Sequence, residues 1–454
     1  MKKISYYFLS SLILYCVLFN VSCTSDNSPS ESESVAPLSP TPTSLNFQEI
    51  MLNTFSVANF FKFSSTGITN DIIINSPSAF LISSDNSTYT NSITLSNTAN
   101  QNITIYVKFA PTELGSVDEL ITINSLNRPQ KTVQVKGIGI PRVYNYQTFL
   151  NARSAFGAGL NQTNTETFVM HNDVTNIEKI YAYIKLKCPT GGCNAWDVFA
   201  NIKVKDPQTN DWYEIARYIT PYGKNNEQVS RGFKVDVTDF KSLLTGSVEL
   251  KSFVEVWGND GWLVSVDFDY IEGTPDYKYY AVSSVVQYNQ NSLEGVVYGE
   301  DASAFDLTKT VQIPSNSQAT SLRTVITGWG HATPNDPDGR PCAEWCYRTH
   351  KVKINSADTF SHYLGPIGCN SNPVQPQGGN WSPDRAGWCP GMGVPVRTDN
   401  LTNSFAGQSF DFEYEFEHWV NDLLSTNSNI HAYYAISTFV VVKSDTPIVK
   451  PTVN

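Results

Sequence analysis

Residues 179–187 read KIYAYIKLK and residues 196–205 read WDVFANIKVK. In the first stretch Ile180, Ala182, Ile184 and Leu186 fall on one side and Lys179, Tyr181, Tyr183, Lys185 and Lys187 on the other. A period of two places the apolar set on a single face of a β-strand, so the pattern predicts strands with one buried side. The polar run DPQTND at 206–211 leads into WYEIARYI at 212–219, which predicts a hairpin. FKVDV at 233–237, ELKSFVEVW at 249–257 and LVSVDFDYI at 263–271 continue the pattern, the last two joined by GNDG at 258–261. No long helical period interrupts them, so residues 142–275 predict an antiparallel sandwich.

The pattern extends in both directions. Beyond GTPDYKY at 273–279, whose turn residues mark a domain boundary, come VSSVVQY at 282–288, LRTVITGW at 322–329, FDFEYEFEHW at 410–419 and YYAISTFVVVK at 433–443. Residues 276–454 therefore predict another sandwich, interrupted between 330 and 400 by a long stretch dense in Gly, Pro, Asn, Cys and Trp. Long loops inside compact domains carry function when they are ordered. Upstream, ITIYVKF at 103–109 and TVQVKGIG at 132–139 predict a separate sandwich over residues 43–141. The reading is all-β, in keeping with an aromatic content of 12%. A net charge of -11 argues against nucleic acid or an anionic membrane surface as partner.

The N-terminus predicts export. Lys2 and Lys3 precede an apolar run, Ile4 to Val21, that ends at Ser22 and Cys23. Residues 1–22 are expected to be a signal peptide. The run into Cys23 resembles a bacterial lipobox, although Asn20 stands where an aliphatic residue is usual, so Cys23 is the expected lipidation site. Residues 23–42 then serve as a polar tether. Six cysteines remain: Cys188, Cys193, Cys342, Cys346, Cys369 and Cys389. An even number in an exported chain implies disulfides, and although many pairings are open, close neighbours suggest 188 with 193 and 342 with 346. Cys369 and Cys389 then pair by elimination.

Three acids lie beside indoles: Asp197 with Trp196, Glu255 with Trp257, and Glu344 with Trp345. An indole offers an apolar face to a pyranose while carboxylates and amides bind its hydroxyls, so the combination predicts a sugar site. Strand alternation puts Phe253, Glu255 and Trp257 on one face, where desolvation should raise the Glu255 pKa. By contrast, Asp411, Glu413, Glu415 and Glu417 alternate with aromatics as a solvated acidic strand face. Cys342, Cys346 and His350 have the spacing of zinc ligands on a helix, but an exported segment with Pro341 ahead of it favours a disulfide. No metal and no cofactor is expected, and no phosphate loop or nucleophile elbow is present in the sequence. The residues alone lead to a carboxylate-based carbohydrate-active hydrolase or a lectin-like binder.

Several motifs narrow this. FGAGL at 156–160, WYEIARYITPY at 212–222, VDVTDFKSLLTG at 235–246, GWGHA at 328–332, CAEWCYRTH at 342–350 and NWSPDRAGWCPGM at 380–392 closely resemble the bacterial peptide:N-glycosidase F family, from about residue 146 onward. The resemblance implies two side-by-side antiparallel jelly-roll β-sandwiches meeting near GTPDYKY. It implies cofactor-free hydrolysis of the amide between the innermost N-acetylglucosamine of an N-glycan and asparagine, which becomes aspartate. Asp197 matches the family's primary catalytic acid, while Glu255 and Glu344 match positions that orient the chitobiose core. Arg385, Trp257, Trp329 and Trp388 fall on motifs implied to line the cleft, beside Trp196 and Trp345. Ala195 and Val198 depart from the family, whose well-known members carry an acid before the Trp-Asp pair and Arg after it. Both departures bear on core-fucose tolerance.

VKFAPTELG at 107–115, LITI at 120–123 and VQVKGIG at 133–139 resemble Ig-like modules of the ASPM, SPD-2 and Hydin type, implying a spacer or docking role. The expected partners are N-glycosylated peptides and proteins, with membrane contact through the lipid alone, and the expected state is a monomer. The expected location is the outer membrane or cell surface as a lipoprotein, or the periplasm. The alternative is a non-catalytic surface glycan-binding lipoprotein. A copper monooxygenase on a related sandwich would need His pairs and a Met ligand, which six scattered His and four Met do not suggest.

Overall fold

The computed structural model describes residues 37–96, 100–300, 302–422 and 432–454. The expected signal peptide, Cys23 and most of the tether lie outside the described residues. The chain divides into two compact units, one ending at Ile140 and the other spanning Pro141–Asn454.

In the first unit two sheets face each other. One orders strands Ser44–Met51, Lys131–Ile140, Gly115–Ser125, Ile72–Asn75 and Ser92–Leu95, and the other Asn59–Ser64, Asn102–Phe109 and Phe80–Ser83. Phe61, Ile74, Phe80, Ile105, Phe109 and Val133 fill the space between them. Alternation explains the pairing: Asn102–Phe109 buries every second residue. A Cβ at Gly137 would lie 2.5 Å from the Phe109 ring, so the glycine of VKGIG lets that ring pack on the backbone. The sequence reading left strand directions in this sandwich open and placed its start at residue 43. Ser44–Met51 pairs in parallel with Lys131–Ile140. The end of the expected tether belongs to the sandwich, with Leu38 in the core and Thr41 bridged to Lys62, because one apolar side chain had a core to enter.

The second unit is all-β, with two sandwiches following one another in sequence. Each strand of the KIYAYIKLK and WYEIARYI readings is present, at Ile177–Lys187 and Trp212–Ile219. In the first roll, Ala152–Ser154, Trp262–Glu272, Ile177–Lys187 and Phe233–Asp236 form one sheet. Thr163–Val169, Ser247–Val254, Phe199–Lys205, Trp212–Ile219 and Met392–Gly393 form the other. In the second roll, Tyr279–Tyr288, Tyr433–Ser444, Ala319–Trp329 and Arg397–Asn400 form the sheet next to the first roll. Ala357–Leu364, Arg348–Ile354, Ser409–Glu415, Thr308–Gln312 and Thr452–Val453 form the outer one. Each roll has its own core.

The rolls meet across a face that alternation alone marks as exposed. Phe199–Lys205 and Trp212–Ile219 are buried on both sides. Asn201, Lys203, Glu214 and Arg217, polar residues pointing away from the first core, are covered by the second roll. Met392–Gly393, from the long irregular stretch, hydrogen-bonds as an edge strand to Tyr218 and Ile219. That stretch is therefore ordered by pairing as well as by disulfides. All three disulfides form as read: Cys188–Cys193, Cys342–Cys346 and Cys369–Cys389.

Candidate active site

Two disulfide-bounded segments, one from each roll, bring acids together. In the first roll, Asp197 sits on the lead-in to strand Phe199–Lys205, which begins later than the alternation at 196 suggested. The lead-in is pinned at several points: Trp196 N donates to Asn194 Oδ1 (3.0 Å), Asn194 Nδ2 to Asp260 Oδ1 (2.9 Å), and Val198 N to Thr220 Oγ1 (2.9 Å). In the second roll, the Cys342–Cys346 loop carries Glu344. Ala343 within it adopts φ 75°, a left-handed conformation that L-residues rarely take. Such strain persists where the surroundings impose it, here a disulfide and a fully buried methyl.

Arg385 links the two acids. Its guanidinium has no exposed surface; Nε donates to Glu344 Oε1 (3.1 Å), Nη1 to Pro383 O (3.0 Å), and Nη2 to Tyr222 OH (3.0 Å) and Asn380 O (2.7 Å). It stacks over the Trp345 ring at 4.4 Å. Asp197 Oδ2 lies 3.4 Å from Arg385 Nη2, close enough for attraction, yet that nitrogen spends its hydrogen bonds elsewhere. Asp197 Oδ2 is thus buried without a hydrogen-bond partner among the described residues. Burial raises the Asp197 pKa, Arg385 opposes, Glu344 adds to the rise, and the Tyr222 hydroxyl beside the carboxylate lowers it again, leaving it at about 7. Burial also raises the Glu344 pKa, with Arg385 holding it back. An unpartnered carboxylate oxygen poised near neutrality beside a second protonatable acid is the equipment of acid–base catalysis.

Glu255 stands apart from this pair. Strand Ser247–Val254 ends before it, and Val254, Glu255 and Val256 are all buried, so the face shared by Phe253, Glu255 and Trp257 is not realised. Glu255 N donates to Phe199 O (2.9 Å), which sets it alongside the Asp197 lead-in. Its Oε2 accepts from Ser292 N (3.0 Å) and Ser292 Oγ (2.7 Å) of the second roll. Burial raises its pKa against those two bonds, as expected, and Trp257 is among the groups that lower it again.

The indoles divide. Trp196 and Trp257 are 67% and 59% exposed and free to meet a sugar. Trp345 is half-buried, its Nε1 donating to His331 Nε2 (3.2 Å). Trp329 is half-buried against Phe199 and Trp388. Trp388 is fully buried, donates to Gly328 O (3.1 Å) and clusters with Ile219 of the first roll, so it packs between the rolls and has no exposed face. Arg385, expected to line the cleft, has no exposed surface and lies against both acids. His350, the third residue of the zinc spacing, is buried in the second roll and accepts from Glu417 N (3.0 Å). Cys369, Asp384 and Cys389 cluster closely enough for a metal, but the two sulfurs are bonded to each other and Asp384 Oδ1 accepts three backbone N–H groups. The reading of a solvated acidic strand holds, with Glu415 salt-bridged to Lys353 and Glu417 to Arg348.

Sequence reading missed Tyr222, His331 and Ser292. Tyr222 and His331 lay inside the motifs at 212–222 and 328–332, but nothing in their own type marked them; Ser292 had no signal at all.

Residues 298–441 match the family model described as Peptide-N-glycosidase F, C terminal. The peptide-N(4)-(N-acetyl-β-D-glucosaminyl)asparagine amidase F of Elizabethkingia miricola is 48% identical over 339 residues, 74% of this chain and 91% of that one. The solved structure of PNGase F, a glycosylasparaginase from Flavobacterium meningosepticum, is 50% identical, covering 69% of this chain and 99% of that one with a TM-score of 0.66. PNGF-II shares the fold at 13% identity, covering 82% of this chain and 81% of that one with a TM-score of 0.52. The chain belongs to the peptide-N-glycosidase F family.

Proposed function

We propose that this chain hydrolyses the amide joining the innermost N-acetylglucosamine of an N-glycan to asparagine, with Asp197 and Glu344 as its acid–base pair. The observation that carries the assignment of roles is the buried, unpartnered Asp197 oxygen with its pKa near 7, facing a second acid across Arg385. Asp197 takes a proton from water as the water oxygen bonds to the side-chain amide carbon. The carbon–nitrogen bond then breaks, and Glu344 in its protonated form supplies the leaving nitrogen with a proton. The products are aspartate and a glycosylamine, which water converts to free sugar and ammonia. Arg385 holds both acids in place. Glu255, fixed by Ser292, orients the chitobiose with the exposed Trp196 and Trp257 stacking on its rings.

Substrates on this reading are N-glycosylated peptides and proteins, and the enzyme works as a monomer. Lys2, Lys3 and the apolar run behind them support export. Cys23 would take the lipid that holds the protein at a membrane surface, with the first unit as an Ig-like spacer. The test is mass spectrometry of a glycopeptide treated in heavy-oxygen water. One labelled oxygen should enter the new aspartate, and binding without that conversion would favour a non-catalytic glycan binder.

A further inference from the structure

Away from the acid pair, on the face of the first roll covered by the second, Lys203 and Lys251 are direct register partners on adjacent strands, with Asn201 opposite Phe253 further along. With Trp212 and Trp257 they line an open pocket of about 420 Å³ bordered by Gln287, Asn289, Gln290 and Asn291. Like charges placed opposite each other on a sheet destabilise it, so the arrangement needs a reason. The lining holds two ammonium groups, three aromatic rings and six side-chain amides, and no carboxylate. That is unexpected in a chain with a net charge of -11.

The nearby acids are committed or outside. Glu214 is fully buried and bonded to Arg217, Glu249 pairs with Lys205, Glu255 is buried and accepts from Ser292, and Glu294 is exposed. Lys203 Nζ donates to Asn289 Oδ1 (3.1 Å), a neutral partner. Lys251 Nζ lies 4.0 Å over the Trp212 ring and forms no ion pair among the described residues. Burial lowers the Lys203 pKa to about 8, with Glu214 opposing and Lys251 adding to the fall. Asn201 is fully buried, donates through Nδ2 to Asn289 O (3.1 Å), and leaves Oδ1 without a partner. The pocket therefore offers an acceptor without a partner among the described residues, indole faces and two ammonium groups with no carboxylate in direct contact, which match a hydroxyl, a pyranose ring and a carboxylate.

Its position ties it to the reaction. Trp257 follows Glu255 by two residues, and Asn291 directly precedes the Ser292 that holds Glu255. From Glu255 back to Lys251 is four residues, roughly 13 Å at strand spacing. We infer that this pocket binds a carboxylate-bearing sugar of the same N-glycan whose linkage is cut. The inference rests on the amidase reading for its substrate, and its test separates the two.

Two free N-glycan oligosaccharides, identical except that one carries carboxylated sugars, are titrated against the full chain and against Lys251→Gln, and turnover is measured on the matching glycopeptides. The wild type should bind the acidic oligosaccharide about fivefold more tightly at low salt, an advantage that shrinks as salt rises. Lys251→Gln should remove that advantage while leaving affinity for the neutral oligosaccharide and turnover of the neutral glycopeptide unchanged. Equal affinities in the wild type, or a preference that survives in Lys251→Gln, overturns the pocket while cleavage still supports the amidase. Preference for the acidic oligosaccharide without cleavage of either glycopeptide upholds the pocket and refutes the amidase. Displacement of the acidic oligosaccharide by an unglycosylated acidic peptide of equal affinity would make the ligand a polypeptide and overturn the inference.

Discussion

Two buried arginine–carboxylate clusters lie between the rolls, and they differ in one respect. In the first, Arg217 Nε and Nη2 donate to Glu214 Oε1 and Oε2 (2.8 and 2.7 Å), while Asn289 Nδ2 (3.1 Å) and Ser437 Oγ (2.5 Å) complete the carboxylate. Arg217 Nη1 goes to Thr327 Oγ1 (2.9 Å) and Ala435 O (2.7 Å) across the interface. In the second, Arg385 is equally buried and equally occupied, but Asp197 is left with an empty acceptor. The titration follows. Burial pushes both acids up; for Glu214 the Arg217 charge and hydrogen bonds outweigh it and the pKa ends below the ordinary value, whereas Asp197 ends at about 7. Burial beside an arginine does not distinguish a structural acid from a reactive one; hydrogen-bond saturation does.

The sharpest way to break this contrast is to neutralise each acid. Asp197→Asn should lower kcat by about 10³- to 10⁴-fold with little change in KM, because the lost group acts on the reacting water. Near-normal turnover of a glycopeptide by this variant would end its assignment as the base. Glu214→Ala should instead leave turnover by the folded enzyme within a few-fold and cost about 3–5 kcal/mol of stability, since Arg217 is left buried and uncompensated. Urea unfolding measures it, and a loss below about 1 kcal/mol would mean that the saturated cluster does not hold the rolls together.

The contrast also explains what the sequence could reveal. Period-two alternation located most strands because each buries at least one face, and the disulfides were legible from spacing. Asn201, Lys203, Glu214 and Arg217 have the pattern of a solvated strand face, and no local signal says that a second sheet covers it. Asp197 and Glu344 were found because each adjoins an indole within a recognisable motif. The burial of Arg385 and Trp388 was not legible, since a guanidinium or an indole reads the same whether it meets a ligand or joins two loops. Tyr222 follows the strand that pairs with the one after Asp197, Phe199 lying opposite Ile219, so the hairpin brings it near Asp197 and only its meeting with Arg385 of the second roll needs the tertiary fold.

A smaller effect concerns stability at the reactive cluster. An acid whose pKa is raised by folding favours the folded state while protonated; the cost of ionising it begins as pH passes 3.8 and reaches its full size above about 7. That difference corresponds to about 4 kcal/mol, of which the desolvated amide of an asparagine would return part. Asp197→Asn should therefore be more stable than wild type by about 2–3 kcal/mol at pH 8. Its advantage should grow between pH 4 and 7 and be flat above. Thermal unfolding across that range tests this, and a variant less stable than wild type at pH 8 would mean that Asp197 is held as firmly as Glu214.

The smallest predicted effect separates the two acids of the pair. In the wild type, kcat/KM should rise through about pH 7 as Asp197 ionises and becomes a base. Burial is the larger cause of that position, and an ionised Glu344 adds to it, so Glu344→Gln should move the rising limb to lower pH, by less than about one unit, only to the extent that Glu344 has already lost the proton it donates. Arg385 opposes the shift throughout and would then act on Asp197 alone. The same variant lowers kcat if Glu344 protonates the leaving nitrogen, and the two readouts are independent. A lowered kcat with an unmoved limb would leave Glu344 as the proton donor, still protonated as Asp197 ionises. A moved limb with undiminished kcat would confine Glu344 to setting the Asp197 pKa and put the leaving-group proton elsewhere, with exposed His331, 3.9 Å from Glu344 Oε2, the next group to replace.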